Sequence, residues 1–252
     1  MTRPLAAALL IFVAVSTLAA ESKEFDEAAR GAMLARFAAQ ERAFDEQLAK
    51  TPDTSALLSG RGDARLFRAR FAEAVEDYEK MIALDPAQDA PHWRLGIAYY
   101  FTGEFGKSAA QFAKYHAYDA RDRENGIWKF LAQSRGEGVE KARREMLVYE
   151  RFDREPFPAL YEMFAGKKTI AEVFAELEKK GVSSEPRVSF FAHYYAGLQA
   201  QLAGDTAAAR EHLSKAVDGA WSTKAHAELG YMWQVARLQR ELLEKPGTSR
   251  VR

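Results

Sequence analysis

Histidines, a glycine-lysine-serine run and scattered carboxylates are the residues of this chain that could do chemistry. His92, His116, His193, His212 and His226 are the natural candidates for metal binding or proton transfer. None sits in a His-Glu-x-x-His pattern, which sets two imidazoles and a basic carboxylate on one helix face, so no metal site is expected and the histidines read as packing or surface residues. Gly106-Lys107-Ser108 has the ending of a phosphate-binding loop, but the first glycine of that loop would have to stand at Phe101. The tripeptide also opens a helical segment instead of following a strand, so no nucleotide or other cofactor is expected. No serine precedes a lysine by three positions, and there is no Gly-x-Ser-x-Gly elbow to expose a nucleophile. Paired Asp and Glu carboxylates stay open, because the separation that decides their use is spatial. Arg61-Gly62-Asp63 spells an adhesion tripeptide, yet its glycine falls at a helix-packing position, which withholds the tripeptide from display.

The other chemistry on offer is recognition. Trp93, Arg94, Ile97, Tyr100 and Phe101 cluster within one helical segment, and Tyr194, Tyr195 and Leu198 within another. Aromatic side chains give large contact area at low entropic cost, and an arginine can grip a carboxylate, so these eight residues are the candidate lining of a partner-binding groove. The competing reading is that they pack between helices, as aromatics commonly do; Trp128 fits that reading better than the groove.

Prolines and three-to-four spacing define the elements that must carry these residues. Apart from Pro4, the prolines at 52, 86, 91, 156, 158, 186 and 246 fall where helices would start or stop. Between them, stripes such as Phe71, Ala74, Val75, Tyr78, Met81 and Ile82 repeat at helical spacing, and no segment alternates as a strand would. The spacing predicts helices over 23–50, 53–68, 71–84, 90–102, 105–118, 123–135, 137–149, 156–165, 169–180, 186–203, 206–218 and 224–244. Gly62 and Gly96, Phe71 and Phe105, and Tyr78 and Phe112 are each 34 residues apart, the period of tetratricopeptide helix pairs. A third unit runs from Phe191 to Asp218, with Tyr194, Gly197, Gly204-Asp205, Ala209 and Leu213 in the same order. The expected fold is therefore all-α: tetratricopeptide-type helical hairpins stacked into an α-solenoid superhelix, with a concave face lined by the first helix of each pair.

The stretches Leu84-Asp85-Pro86, Pro91 to Tyr100 and Ile127 to Ala132 go beyond the generic repeat, and with them the run 61–132 and the segment 190–243 resemble the NlpI-type periplasmic tetratricopeptide proteins of bacteria. The resemblance implies an adaptor that holds cell-wall hydrolases or a protease together, often as a homodimer. Such proteins are lipoproteins, and this chain lacks the cysteine that would be lipidated.

The division expected is a secretory signal peptide at 1–20, an N-terminal helix at 21–50 and two repeat units at 51–122, then degenerate helical pairs at 123–185, a further unit at 186–223, and a capping helix and tail at 224–252. Met1-Thr2-Arg3 followed by the apolar run Leu5 to Leu18 and small residues at Ala19-Ala20 has the layout of a cleaved export signal, too short for a bilayer core that needs about 20 residues. Export would leave the protein free in the periplasm or outside the cell, with an uncleaved N-terminal anchor as the lesser alternative. Charges balance at 36 basic and 36 acidic residues, so no field gathers nucleic acid, and the absence of cysteine removes thiol nucleophiles and Cys-bound zinc. The function expected is a non-catalytic scaffold binding a protein or peptide. The alternatives are a cell-wall hydrolase with a carboxylate site and a structural dimer built through the N-terminal helix, whose Phe25, Met33, Phe37, Phe44 and Leu48 are apolar.

Overall fold

A computed structural model describes residues 25–221 and 230–244. Among the described residues it is helical throughout, without strands: α1 (Glu27–Leu48), α2 (Ser55–Phe67), α3 (Phe71–Leu84), α4 (Trp93–Thr102), α5 (Phe105–Tyr118), α6 (Arg123–Glu137), α7 (Val139–Arg144), α8 (Phe157–Phe164), α9 (Ile170–Lys179), α10 (Pro186–Leu202), α11 (Thr206–Asp218) and α12 (Tyr231–Glu244), with a short 3-10 turn at Pro86–Gln88. Consecutive helices pack on one another along most of the chain. The export signal expected at 1–20 lies outside the described residues.

Three hairpins share one packing device. A Cβ built on Gly62 would stand 2.5 Å from the ring of Tyr78, one on Gly96 2.8 Å from Phe112, and one on Gly197 2.9 Å from Leu213. In every case the bulky residue comes 16 positions after the glycine (62 to 78, 96 to 112, 197 to 213). The missing side chain in the first helix lets the second approach, and Tyr78, Phe112 and Leu213, all fully buried, fill the seam. Gly103 and Gly204, at φ 82° and 79°, turn the chain just after α4 and α10 in a left-handed conformation that other residues adopt at a cost. Arg61-Gly62-Asp63 is used inside the fold: Arg61 pairs with Asp77 and Asp45, and Asp63 accepts from Tyr78 and Arg94.

Two sequence expectations need correcting. Helix α7 stops at Arg144 instead of running to 149, because neighbouring side chains capture the backbone carbonyls beyond it. Lys129 donates to the Glu145 carbonyl, Tyr161 to Leu147, and Arg123 to Tyr149 and Arg151, at 2.7–3.3 Å, which stabilises an extended run that apolar spacing alone reads as helix. A helix that only capped the fold at 224–252 would keep its charges in water, yet Arg237 of α12 is 0% exposed. Its guanidinium donates to the Phe67 carbonyl (2.6 Å), Gln234 Oε1 (2.9 Å) and Glu241 (2.7 Å), so burial leaves none of its main donors orphaned.

Helix α12 ties the two ends of the described chain together. It packs on α11, where the Trp233 indole N–H donates to the Val217 carbonyl at 3.1 Å, and it also reaches α1 and α2. Arg30 bridges to Glu241 at 2.8 Å, the Gln234 amide meets the Met33 sulfur, and the Phe25 ring sits edge-on to Trp233 at 4.9 Å. The apolar residues of α1 are engaged within the same chain: Met33, Phe37 and Leu48 are buried, and the Phe44 ring covers Gly60. Beneath α1 lies a buried ionic network in which Glu41 holds Arg65, Arg68 and Arg70 while Asp77 holds Arg61 and Arg65.

Candidate functional site

The structure divides the eight candidate groove residues into two sets. Ile97, Tyr194, Tyr195 and Leu198 are fully buried, so in this conformation they are core and not groove lining. The reason is geometric: Tyr194 and Tyr195 both lie in the dense aromatic interior, where Phe157, Phe164, Phe190 and Phe191 surround them. Trp93, Arg94, Tyr100 and Phe101 are partly exposed on α4, and α12 covers two of them. Tyr231 stands edge-on to Trp93 at 4.7 Å, and the Arg94 guanidinium lies over both rings while bonding Asp63 at 2.7 Å. Arg94 is thus already paired with a carboxylate of its own chain. Burial pushes the Asp63 carboxyl up, against the pull of Arg94 and the Tyr78 hydroxyl.

Tyr100 and Phe101 remain beside open space. They border a cleft of about 670 Å³ between the α4–α5 turn, the C-terminal part of α6, the α10–α11 turn and α12. Tyr100, Phe101, Phe105, Leu242 and Leu243 supply apolar walls, and Arg135, Gln201, Thr206 and Gln239 supply polar atoms. The walls are held from behind: Phe101 stacks on Phe71 at 4.6 Å, and Tyr100 stands edge-on to Trp128 at 5.3 Å and Phe105 at 5.6 Å. Trp128, expected in the core, is there.

A smaller pocket of about 160 Å³ opens at the start of α6, between Trp93, Trp128 and Met232, with Asp122, Glu124, Asn125 and Arg154 around it. Asp122 caps α6 by accepting the Glu124 backbone N–H, and its other oxygen accepts from Asn125. Glu124 is nearly buried and accepts from the Tyr195 hydroxyl and from Arg154, each at 2.7 Å. Arg154 also bonds Asp122 at 3.3 Å and Asp153 at 3.0 Å, so one guanidinium serves three carboxylates. Burial works against the Arg154 charge, but the three acids hold its pKa above the ordinary value. The Glu124 carboxyl is pushed up to about 7 by burial and by the charge of Asp122, which outweigh Arg154 and Tyr195. The Trp128 indole N–H makes no hydrogen bond here, although the Tyr195 hydroxyl is near.

The other described histidines and the Gly106-Lys107-Ser108 run are engaged within the chain, and His226 lies outside the described residues. His193 and His212 face each other with Nδ1 atoms 2.9 Å apart beside Phe174, and burial lowers His193 to about 4 with help from His212. His92 Nδ1 accepts the Leu95 backbone N–H and caps α4. Among the described residues no group of three or more acidic or histidine side chains is placed to hold a metal ion. Lys107 pairs with Glu104, and buried Ser108 donates to the Gly96 carbonyl at 2.8 Å.

Sequence reasoning misses Arg135, Gln239 and Arg154. Arg154 meets Glu124 across 30 positions and Gln239 belongs to the helix expected as a cap, so no local pattern marks either. No family model matches the chain.

Proposed function

We propose that this protein is a non-catalytic, exported scaffold of the tetratricopeptide type that binds a protein or peptide segment. The observation that carries the reading is the apolar-walled cleft bordered by Tyr100 and Phe101, which is large enough for several residues of a peptide and has polar atoms at its rim. Support for the repeat type comes from the glycine-to-bulky-residue lock, repeated at one offset in three hairpins. Among the described residues no helix is long and apolar enough to cross a membrane, and export rests on the pattern of the first twenty residues. With the NlpI-type resemblance, the partners in view are cell-envelope enzymes. Affinity capture of exported proteins by the full mature chain, beside a Tyr100→Ala/Phe101→Ala variant of unchanged helicity, tests it. Partners lost in the variant are expected; partners retained equally remove the cleft from the reading.

A hydrolase is the second reading, favoured by Glu124, whose carboxyl titrates near neutrality in a tryptophan-walled pocket. It ranks below the scaffold because both Glu124 oxygens are already engaged and the space beside them is small. Turnover of peptidoglycan fragments by the wild-type chain, abolished by Glu124→Gln, would reverse that order.

A further inference from the structure

The cleft between the α4–α5 turn and α12 contains donors without acceptors. Arg135 reaches it from the end of α6, and among the described residues no carboxylate pairs with it; its guanidinium carbon lies 5.6 Å from the centre of the Phe105 ring. Gln239 lines the same cleft from α12 at only 5% exposure, and its amide nitrogen is buried without a hydrogen-bond partner. No Asp or Glu stands among the described lining residues. An unmet buried donor is costly, and an unpaired guanidinium between aromatic walls is a ready acceptor site for an anion. At the other cavities the arginines have acids at hand: Arg154 serves three, Arg61 bonds Asp77 and Asp45, Arg70 bonds Glu41 and Glu73, and Arg151 shares its cavity with Glu150 and Asp119.

We propose that this cleft takes a peptide segment in which an acidic side chain stands among apolar ones, the carboxylate bonding to Arg135 and Gln239 and the apolar neighbours lying on Tyr100, Phe101, Phe105 and Leu243. This rests on the cleft being the binding face and adds the chemistry of what binds there. Charge complementarity selects the occupant: a basic segment would be repelled by Arg135, a neutral polar one could accept hydrogen bonds but would leave the guanidinium charge uncompensated, and an apolar one would bury both donors unmet.

The test is fluorescence anisotropy of two labelled peptides, acetylated and amidated so that neither end is charged, titrated with the full mature chain. One alternates leucine and phenylalanine with glutamate; its twin has glutamine at each glutamate. The acidic peptide is expected to bind about tenfold more tightly, the size of one hydrogen bond to a charged group. Arg135→Met is expected to erase that ratio, and Gln239→Leu to reduce it. Equal binding of the two peptides, or a ratio that survives Arg135→Met, overturns the carboxylate assignment and leaves the cleft as a peptide site. A twin with a free C-terminus that matches the acidic peptide also overturns it, moving the acceptor from a side chain to a chain end. If neither peptide binds a folded chain, both this assignment and the cleft as binding face fall together.

Discussion

The pocket at the start of α6 and the cleft beside α12 use arginine in opposite ways. In the pocket, Arg154 is surrounded by Asp122, Glu124 and Asp153, and each of these acids also accepts a further hydrogen bond. In the cleft, Arg135 has an aromatic ring and no acid among the described residues. The first arrangement is closed to a ligand unless it displaces a partner that folding has already supplied. The second offers charge that folding does not need. A polar residue in a cavity points to recognition when its hydrogen-bonding capacity is left over, and to structure when it is used up.

Removing each arginine puts that contrast to its hardest test. Arg154→Met should cost about 3 kcal/mol, the low end for breaking a buried ion pair because Arg154 and Asp122 are partly exposed while Glu124 and Asp153 are buried. Arg135→Met should stay within about 0.5 kcal/mol, as for surface substitutions away from special features. Urea unfolding of both variants checks this, and equal losses would erase the distinction. A smaller effect sharpens the pocket's side of it. Glu124 binds its proton more tightly folded than unfolded, so its contribution to stability is full below the ordinary carboxyl range and is lost as pH rises through about 7. Glu124→Gln should therefore flatten the decline in urea midpoint between pH 4.5 and pH 7, and an unchanged slope would place that decline on other groups. The His193–His212 pair acts with the opposite sign: with His193 lowered to about 4, its contribution is present above the usual histidine range and fades as pH falls toward 4. His193→Phe should reduce the acid-side loss slightly, which a midpoint series from pH 7 to pH 4 would read.

Much of the helical framework is legible in the sequence because it is written locally. The glycine and its bulky partner recur at a fixed offset, so the hairpins α2–α3, α4–α5 and α10–α11 follow from spacing alone. The extended run after α7 is not legible, since Met146, Leu147, Val148 and Tyr149 have helical apolar character and only the donors Lys129, Arg123 and Tyr161 pull their segment straight. The candidate site is half legible. Aromatic content points to Tyr100 and Phe101, but it equally points to Tyr194 and Tyr195, and composition cannot tell a wall of a cleft from a filled interior. Arg237 reads as a surface charge until Phe67, 170 positions earlier, supplies the carbonyl that buries it.

The junction of α1 with α12 also governs how the chain reaches this structure. Chains whose helices touch only their neighbours assemble by local steps and can fold from any point, whereas here Met33 must wait for Gln234, 201 positions later, before its end of the helical stack is sealed. A ribosome makes α1 long before α12, so the inner surfaces of α1 and α2 stay uncovered for most of synthesis. Those surfaces, and not the finished protein, are what a chaperone or a protease would meet first.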